Sequence, residues 1–138
     1  MTPGRVDPRS VHPGCVVCGA ANPRGLRLCY APWDGNGVQA ELDCDGSLEG
    51  YGGRLHGGII AAVLDGAMTH CLFALGREAV TAELTVRYKH AVATGRPATV
   101  RARLERDRPP LYRLRAELPP GLTTRASSLT RGRGSIGP

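Results

Sequence analysis

Read for hydrophobic period, the chain consists of short alternating runs on either side of one long apolar stretch. Gly57 to about Leu75 is apolar on most faces and reads as a helix, with Gly76 as its C-terminal stop. Val80–His90 alternates with a period of two, which puts Val80, Ala82, Leu84, Val86 and Tyr88 on one face of a strand. Ala98–Leu104 alternates more weakly. Leu111–Leu118 and Thr123–Leu129 complete the strand set, divided by Arg108-Pro109-Pro110 and Pro119-Pro120-Gly121. Ahead of the helix, Leu26–Trp33 and Gly37–Leu42 are short β-like runs separated by Asp34-Gly35-Asn36-Gly37, which has hairpin-turn chemistry. A helix that is apolar on most sides must be buried, and the simplest cover is an antiparallel sheet wrapped around it. The predicted class is therefore α+β.

The rest of the chain fills in around these elements. Residues 1–14 are rich in Pro and Gly, lack a period, and read as a flexible arm. Cys15–Gly25 is a turn-rich knot and Asp43–Leu55 a Gly-rich loop. Residues 131–138 are low in complexity and read as a disordered tail, leaving 15–130 as one folded domain. A length of 138 residues has room for one hydrophobic core but not two. Asp65, Thr69 and His70 break the longest apolar run short of the roughly 18 residues of a membrane span. No charged n-region followed by an apolar block opens the chain, so the expected location is cytoplasmic, without a membrane partner.

The central run carries candidate chemistry. His56-Gly57-Gly58 opens the helix, and Asp65 lies inside it. Glycines at a helix start admit close approach of a ligand, and the free N–H groups there can polarise an oxygen. A carboxylate in an apolar run is costly unless it is paired, hydrogen-bonded or functional. At 1.5 Å rise per residue, Asp65 is roughly 12 Å along the axis from Gly57, too far for one reacting carbonyl to touch both. Two antiparallel copies of the helix, related by a two-fold axis, would bring Asp65 of one to the glycines of the other. The spacing thus predicts an isologous homodimer with two shared sites.

Charge and cysteine content narrow the partners. The net charge of +6 is uneven: residues 1–76 hold 5 basic and 7 acidic groups, residues 77–138 hold 13 and 5. Lys89 is the one lysine among arginines. A basic half can meet phosphates. Aromatics are only 4% of residues, too few for base-stacking platforms, and no nucleic-acid-binding motif is present, so nucleic acid is not an expected partner. Five cysteines, an odd number without a secretion signal, argue against a disulfide framework. Cys15 and Cys18 with His12 amount to half a zinc site at most, since a full one needs Cys29 or Cys44 to arrive from the hairpin, and a buried turn is the favoured reading of the pair.

At His56-Gly57-Gly58 followed by Asp65, the sequence resembles the acyl-CoA thioesterases of the hotdog fold, closest to the PaaI-like type and the mammalian thioesterase-superfamily-member proteins. Cys15-x-x-Cys18-Gly19-x-x-Asn22-Pro23-x-Gly25-Leu26 looks like the N-terminal signature of one branch, and Thr81–Lys89 looks like the strand after the helix. The resemblance implies a long central helix wrapped by a curved antiparallel sheet and hydrolysis of acyl-CoA to a carboxylic acid and free CoA. It implies that Asp65 acts as general base or nucleophile, with the Gly57 and Gly58 N–H groups as oxyanion hole. His56 caps the helix or braces the loop. Thr81 is the hydroxyl expected near the attacking water, and Thr69, one helical turn after Asp65, is the second candidate. Arg87, Lys89, Arg106 and Arg108 are the candidate CoA contacts. No cofactor is implied, since CoA is part of the substrate. The chemistry needs no metal, so the Cys-x-x-Cys is read as a buried turn. A homodimer is implied, with a dimer of dimers as the larger assembly.

Two features leave alternatives open. Many relatives carry an Asn or Gln near position 50 that also contacts the carbonyl, where this chain has Gly50. A non-catalytic acyl-CoA-binding module is one alternative on that account. A hotdog hydratase using Asp65 with His70 is the other. Five residues of helix turn the two side chains about 140° apart, which opposes it.

Overall fold

A computed structural model describes residues 6–118 and, for the backbone, 124–132. One 18-residue helix, α2 (Gly57–Ala74), lies against a six-stranded antiparallel sheet. Two elements precede the helix on the sheet side, β1 (Ala31–Trp33) and β2 (Gly37–Leu42), and a four-residue helix α1 (Pro8–Val11) precedes those. After α2 come β3 (Ala79–Tyr88), β4 (Ala98–Arg108), β5 (Leu111–Glu117) and β6 (Thr124–Gly132). The order across the sheet is β1-β2-β4-β5-β6-β3, so β1 and β3 are the edges. This is the predicted α+β class: one long helix and a curved antiparallel sheet.

Sequence accounts for the helix directly. Its buried positions Ile60, Val63, Leu64, Ala67, Met68 and Cys71 recur at three- and four-residue spacing, the stripe a helix buries. They join Leu42, Val100 and Leu114 from the sheet in a single core. Alternate residues Ala98, Val100 and Ala102 of β4, and Tyr112, Leu114 and Ala116 of β5, point into that core. Length and composition alone would let α2 cross a bilayer, yet half of it is buried against the rest of the chain. Its end falls where the sequence places it, at Gly76, whose φ of +78° suits glycine.

The strands deviate from the sequence reading in ways that matter to the site. The first run joins the sheet only at Ala31–Trp33, and Arg27 within it has a φ of +55°, outside the strand region. Before β1, the Leu26 and Leu28 amides donate to the Val16 and Val17 carbonyls at 2.8 and 2.9 Å, tying the run to the cysteine knot. The alternation expected along β3 does not hold. Its register with β6 shifts between Thr81 and Glu83, a bulge that inserts one extra residue. The helix-side face is consequently Ala79, Thr81, Leu84, Val86 and Tyr88, and Val80 turns away, 47% exposed.

The chain ends also depart from expectation. Residues 1–14 are not wholly an irregular arm. Asp7 caps α1 by accepting from the Arg9 amide, and the Val6 amide donates to the Phe73 carbonyl at the end of α2, 2.8 Å away. β6 reaches Gly132, so Arg131 and Gly132, read as the start of a tail, belong to a strand. The remainder of that tail, 133–138, lies outside the described residues.

Candidate active site

The loop before α2 is pinned from both sides. The His56 amide donates to the Leu48 carbonyl at 2.9 Å, and the Leu55 amide to the Val92 carbonyl at 2.8 Å. Thr94 donates its amide to Gly53, and Gly50 its amide to Arg54. His56 is thereby fixed as the N-cap residue, and its Nδ1 accepts from the Gly58 amide at 2.8 Å. In the neutral ring the proton then sits on Nε2. A Cβ on Gly58 would fall 3.0 Å from the His56 ring, so glycine gives the cap its room.

This cap divides the two glycine amides. Gly58 is spent on His56. Gly57, the first helical residue, donates to no acceptor among the described residues. Gly57 is held from the other side by Tyr88 at the end of β3, whose hydroxyl donates to the Gly57 carbonyl at 2.7 Å. The strand pattern identified Tyr88 only as an apolar-face residue. Its contact with the helix start depends on the long-range packing of β3, which alternation does not report.

Asp65 lies half-buried on the flank of α2. The Thr81 hydroxyl donates to its Oδ1 at 2.6 Å. The β3 bulge turns Thr81 to the helix side, as bulges beside functional sites re-aim side chains. Thr69, the other candidate hydroxyl, makes no such bond among the described residues. A Cβ at Gly50 would lie 3.4 Å from the His56 Cα and ring, so position 50 faces His56.

His70 does not meet Asp65. Its ring packs on Tyr30 (centroids 4.4 Å), Phe73 (5.2 Å) and His12 (5.9 Å). Burial, with His12 second, pushes it down to about 4, which keeps it neutral. Tyr30 donates its hydroxyl to the Val63 carbonyl at 3.0 Å, and burial pushes its own ionisation up. Gly66 sits beneath this cover. A Cβ there would come within 2.8 Å of Val17 Cγ1 and 3.0 Å of the Tyr30 hydroxyl. The cysteine knot therefore presses on α2 one residue from Asp65.

The four candidate CoA contacts are all exposed but do not converge in one chain. Arg87 and Lys89 are at the Tyr88 end of β3, beside the start of α2. Arg106 and Arg108 stand at the β4–β5 turn. Arg108 pairs with Leu111, which pairs with Arg131, next to the Ala79 end of β3. The two pairs occupy opposite ends of the sheet, about 30 Å apart at ~3.3 Å per strand residue.

The family model of the thioesterase superfamily matches residues 52–107, a span that includes His56, Gly57, Gly58, Asp65 and Thr81. A search of curated proteins gives no match. Among solved structures, the chain is similar to a thioesterase superfamily protein at a TM-score of 0.76 and 20% identity, over 91% of this chain and 62% of that one. It thus spans about three-fifths of that relative's length. It is similar to a Streptococcus mutans protein bound to acetyl CoA (TM-score 0.69, 17% identity, 76% of this chain and 87% of that one). It is also similar to the E. coli PaaI protein from the phenylacetic acid degradation operon (TM-score 0.71, 15% identity, 81% of each chain). The likeness to these solved structures shows that the chain has their hotdog fold, and its stretch 52–107 is similar to the thioesterase superfamily.

Proposed function

We propose that the protein hydrolyses acyl-CoA thioesters to a carboxylic acid and free CoA. The observation that carries this reading is the hydrogen bond from Thr81 of β3 to Asp65 of α2, the helix whose first amide, Gly57, meets no acceptor among the described residues. Thr81 fixes one carboxylate oxygen and leaves the other to take a proton from water or to attack. The Gly57 amide, at the positive end of α2, stabilises the oxyanion that forms. Asp65 and Gly57 are too far apart to serve one carbonyl within a chain, so the site is shared between two copies.

The edge strand β3 supports this pairing. On its helix-side face, Leu84 and Tyr88 are 37% and 50% exposed. Antiparallel pairing of two β3 edges sets the Thr81–Asp65 region of one copy beside the Gly57 region of the second. It also brings Arg87 and Lys89 of one copy to Arg106 and Arg108 of the other, a cationic mouth for the CoA phosphates. The likeness to a protein bound to acetyl CoA supports CoA esters as the substrate class. No cofactor enters, because water and the thioester suffice.

Asp65→Asn keeps the Thr81 bond but removes the base. Turnover of acyl-CoA should fall about 10²- to 10⁴-fold with unchanged thermal unfolding, read by thiol release. Full activity in that variant would refute the mechanism. Saturable CoA-ester binding with no thiol release by the unaltered protein would instead make it a binding module.

A further inference from the structure

We propose that His12, Cys15 and Cys18 form a binding site for a thiophilic divalent cation of the Zn(II) kind, which clamps the N-terminal segment onto the helix that bears Asp65. One ligand atom from each of the three residues lies within 4.8 Å of the others. Cys18 Sγ is 3.3 Å from His12 Nε2. Tetrahedral Zn(II), with Zn–S of about 2.3 Å and Zn–N of about 2.0–2.1 Å, sets its ligands roughly 3.5–3.8 Å apart. The Cys18–His12 pair is close to that spacing without an ion to organise it.

The backbone is shaped to keep the sulfurs there. The Cys15 carbonyl accepts the Gly19 amide at 2.8 Å, closing the Cys-x-x-Cys-Gly turn. A Cβ on Gly19 would fall 2.4 Å from the Cys15 nitrogen and the Pro13 oxygen, so only glycine closes it. Inside the turn the Val17 amide points at Cys15 Sγ, 3.4 Å away. His12 arrives by a separate route. Its amide donates to the Pro8 carbonyl, so α1 delivers the imidazole to the knot.

A second observation points the same way. His12 and Cys18 line a cavity of about 420 Å³ whose wall also holds Cys29, Tyr30 and His70. His70 is only 9% exposed, yet its Nε2 has no hydrogen-bond partner among the described residues. A neutral imidazole orphaned beside three soft ligands is suited to hold the fourth ligand, a water or the Cys29 thiol. All three cysteines are free thiols. Cys44, the other donor weighed from sequence, is buried elsewhere and donates to the Leu42 carbonyl. Binding replaces the two thiol protons of Cys15 and Cys18 by one Zn²⁺ and releases both to solvent, with His12 ligating as the neutral ring.

The test uses the full chain, reduced and freed of metal. Titration with Co(II) should give thiolate-to-cobalt charge-transfer bands and intense tetrahedral visible bands saturating at one ion per chain, and Zn(II) should bleach them. Cys18→Ser and, on the separate N-terminal segment, His12→Ala should each weaken binding about 100-fold or more. His90→Ala, at an exposed histidine elsewhere, should leave it unchanged. Zn(II) should raise the unfolding temperature of the unaltered protein and not of His12→Ala. Absence of the bands in reduced protein would overturn the proposal. So would bands that survive both ligand substitutions, or equal loss in His90→Ala. Thiol release by Asp65→Asn tests the hydrolytic function separately.

Discussion

Single atoms decide the contacts around Asp65. Gly66 has no room for a side chain, because Val17 and the Tyr30 hydroxyl occupy the space. Gly66→Val should lower stability by about 1–3 kcal/mol through overpacking, measured by denaturant unfolding, and should spare the unfolded chain's solubility. An unchanged midpoint would mean that the knot moves aside freely. At this scale much of the site was legible. A carboxylate eight residues into a glycine-opened apolar helix stands out against its neighbours, and Asp65 and Gly57 both lie on the helix the pattern predicted. The family resemblance put Thr81 ahead of Thr69 as the hydroxyl, but residue spacing alone did not. Thr69 is near Asp65 by helical geometry, which a sequence displays. Thr81 is near by tertiary packing, which it does not. The division of labour between the glycines was hidden for a similar reason: the capping ring of His56 consumes the Gly58 amide, and a side-chain rotamer leaves no trace in residue spacing.

At the scale of elements, β3 is where pattern and structure part. Its apolar alternation is real, but one extra residue exchanges the faces between Thr81 and Glu83. Bulges have no reliable sequence mark, since any residue can be the inserted one. The consequence is a strand that grips the helix at two places, Thr81 on Asp65 and Tyr88 on Gly57. Tyr88→Phe removes the second grip and leaves the ring in place. It should cost about 0.5–1.5 kcal/mol, the net value of one hydrogen bond, and speed amide exchange at the start of α2. Unaltered exchange there would show that the loop alone holds Gly57. The hairpin strands and the ends of α2 were legible because turn glycines and prolines mark them locally. The short helix α1 was not, because its four residues begin with a proline and have no apolar period.

For the whole molecule, the unpaired β3 edge is the feature that the proposed dimer explains. Leu84→Lys places a charge on that edge and should shift the protein toward monomer in sedimentation, with thiol release falling in step. A monomer that keeps full activity would refute the shared site. The charge asymmetry along the chain was visible in the sequence, but its disposition was not. The four candidate CoA contacts, Arg87 with Lys89 and Arg106 with Arg108, form two pairs at opposite ends of one sheet. On the shared-site reading, this geometry makes catalytic competence obey mass action. Below the dissociation constant, complete sites would increase with the square of chain concentration, and activity per milligram would become a measure of association.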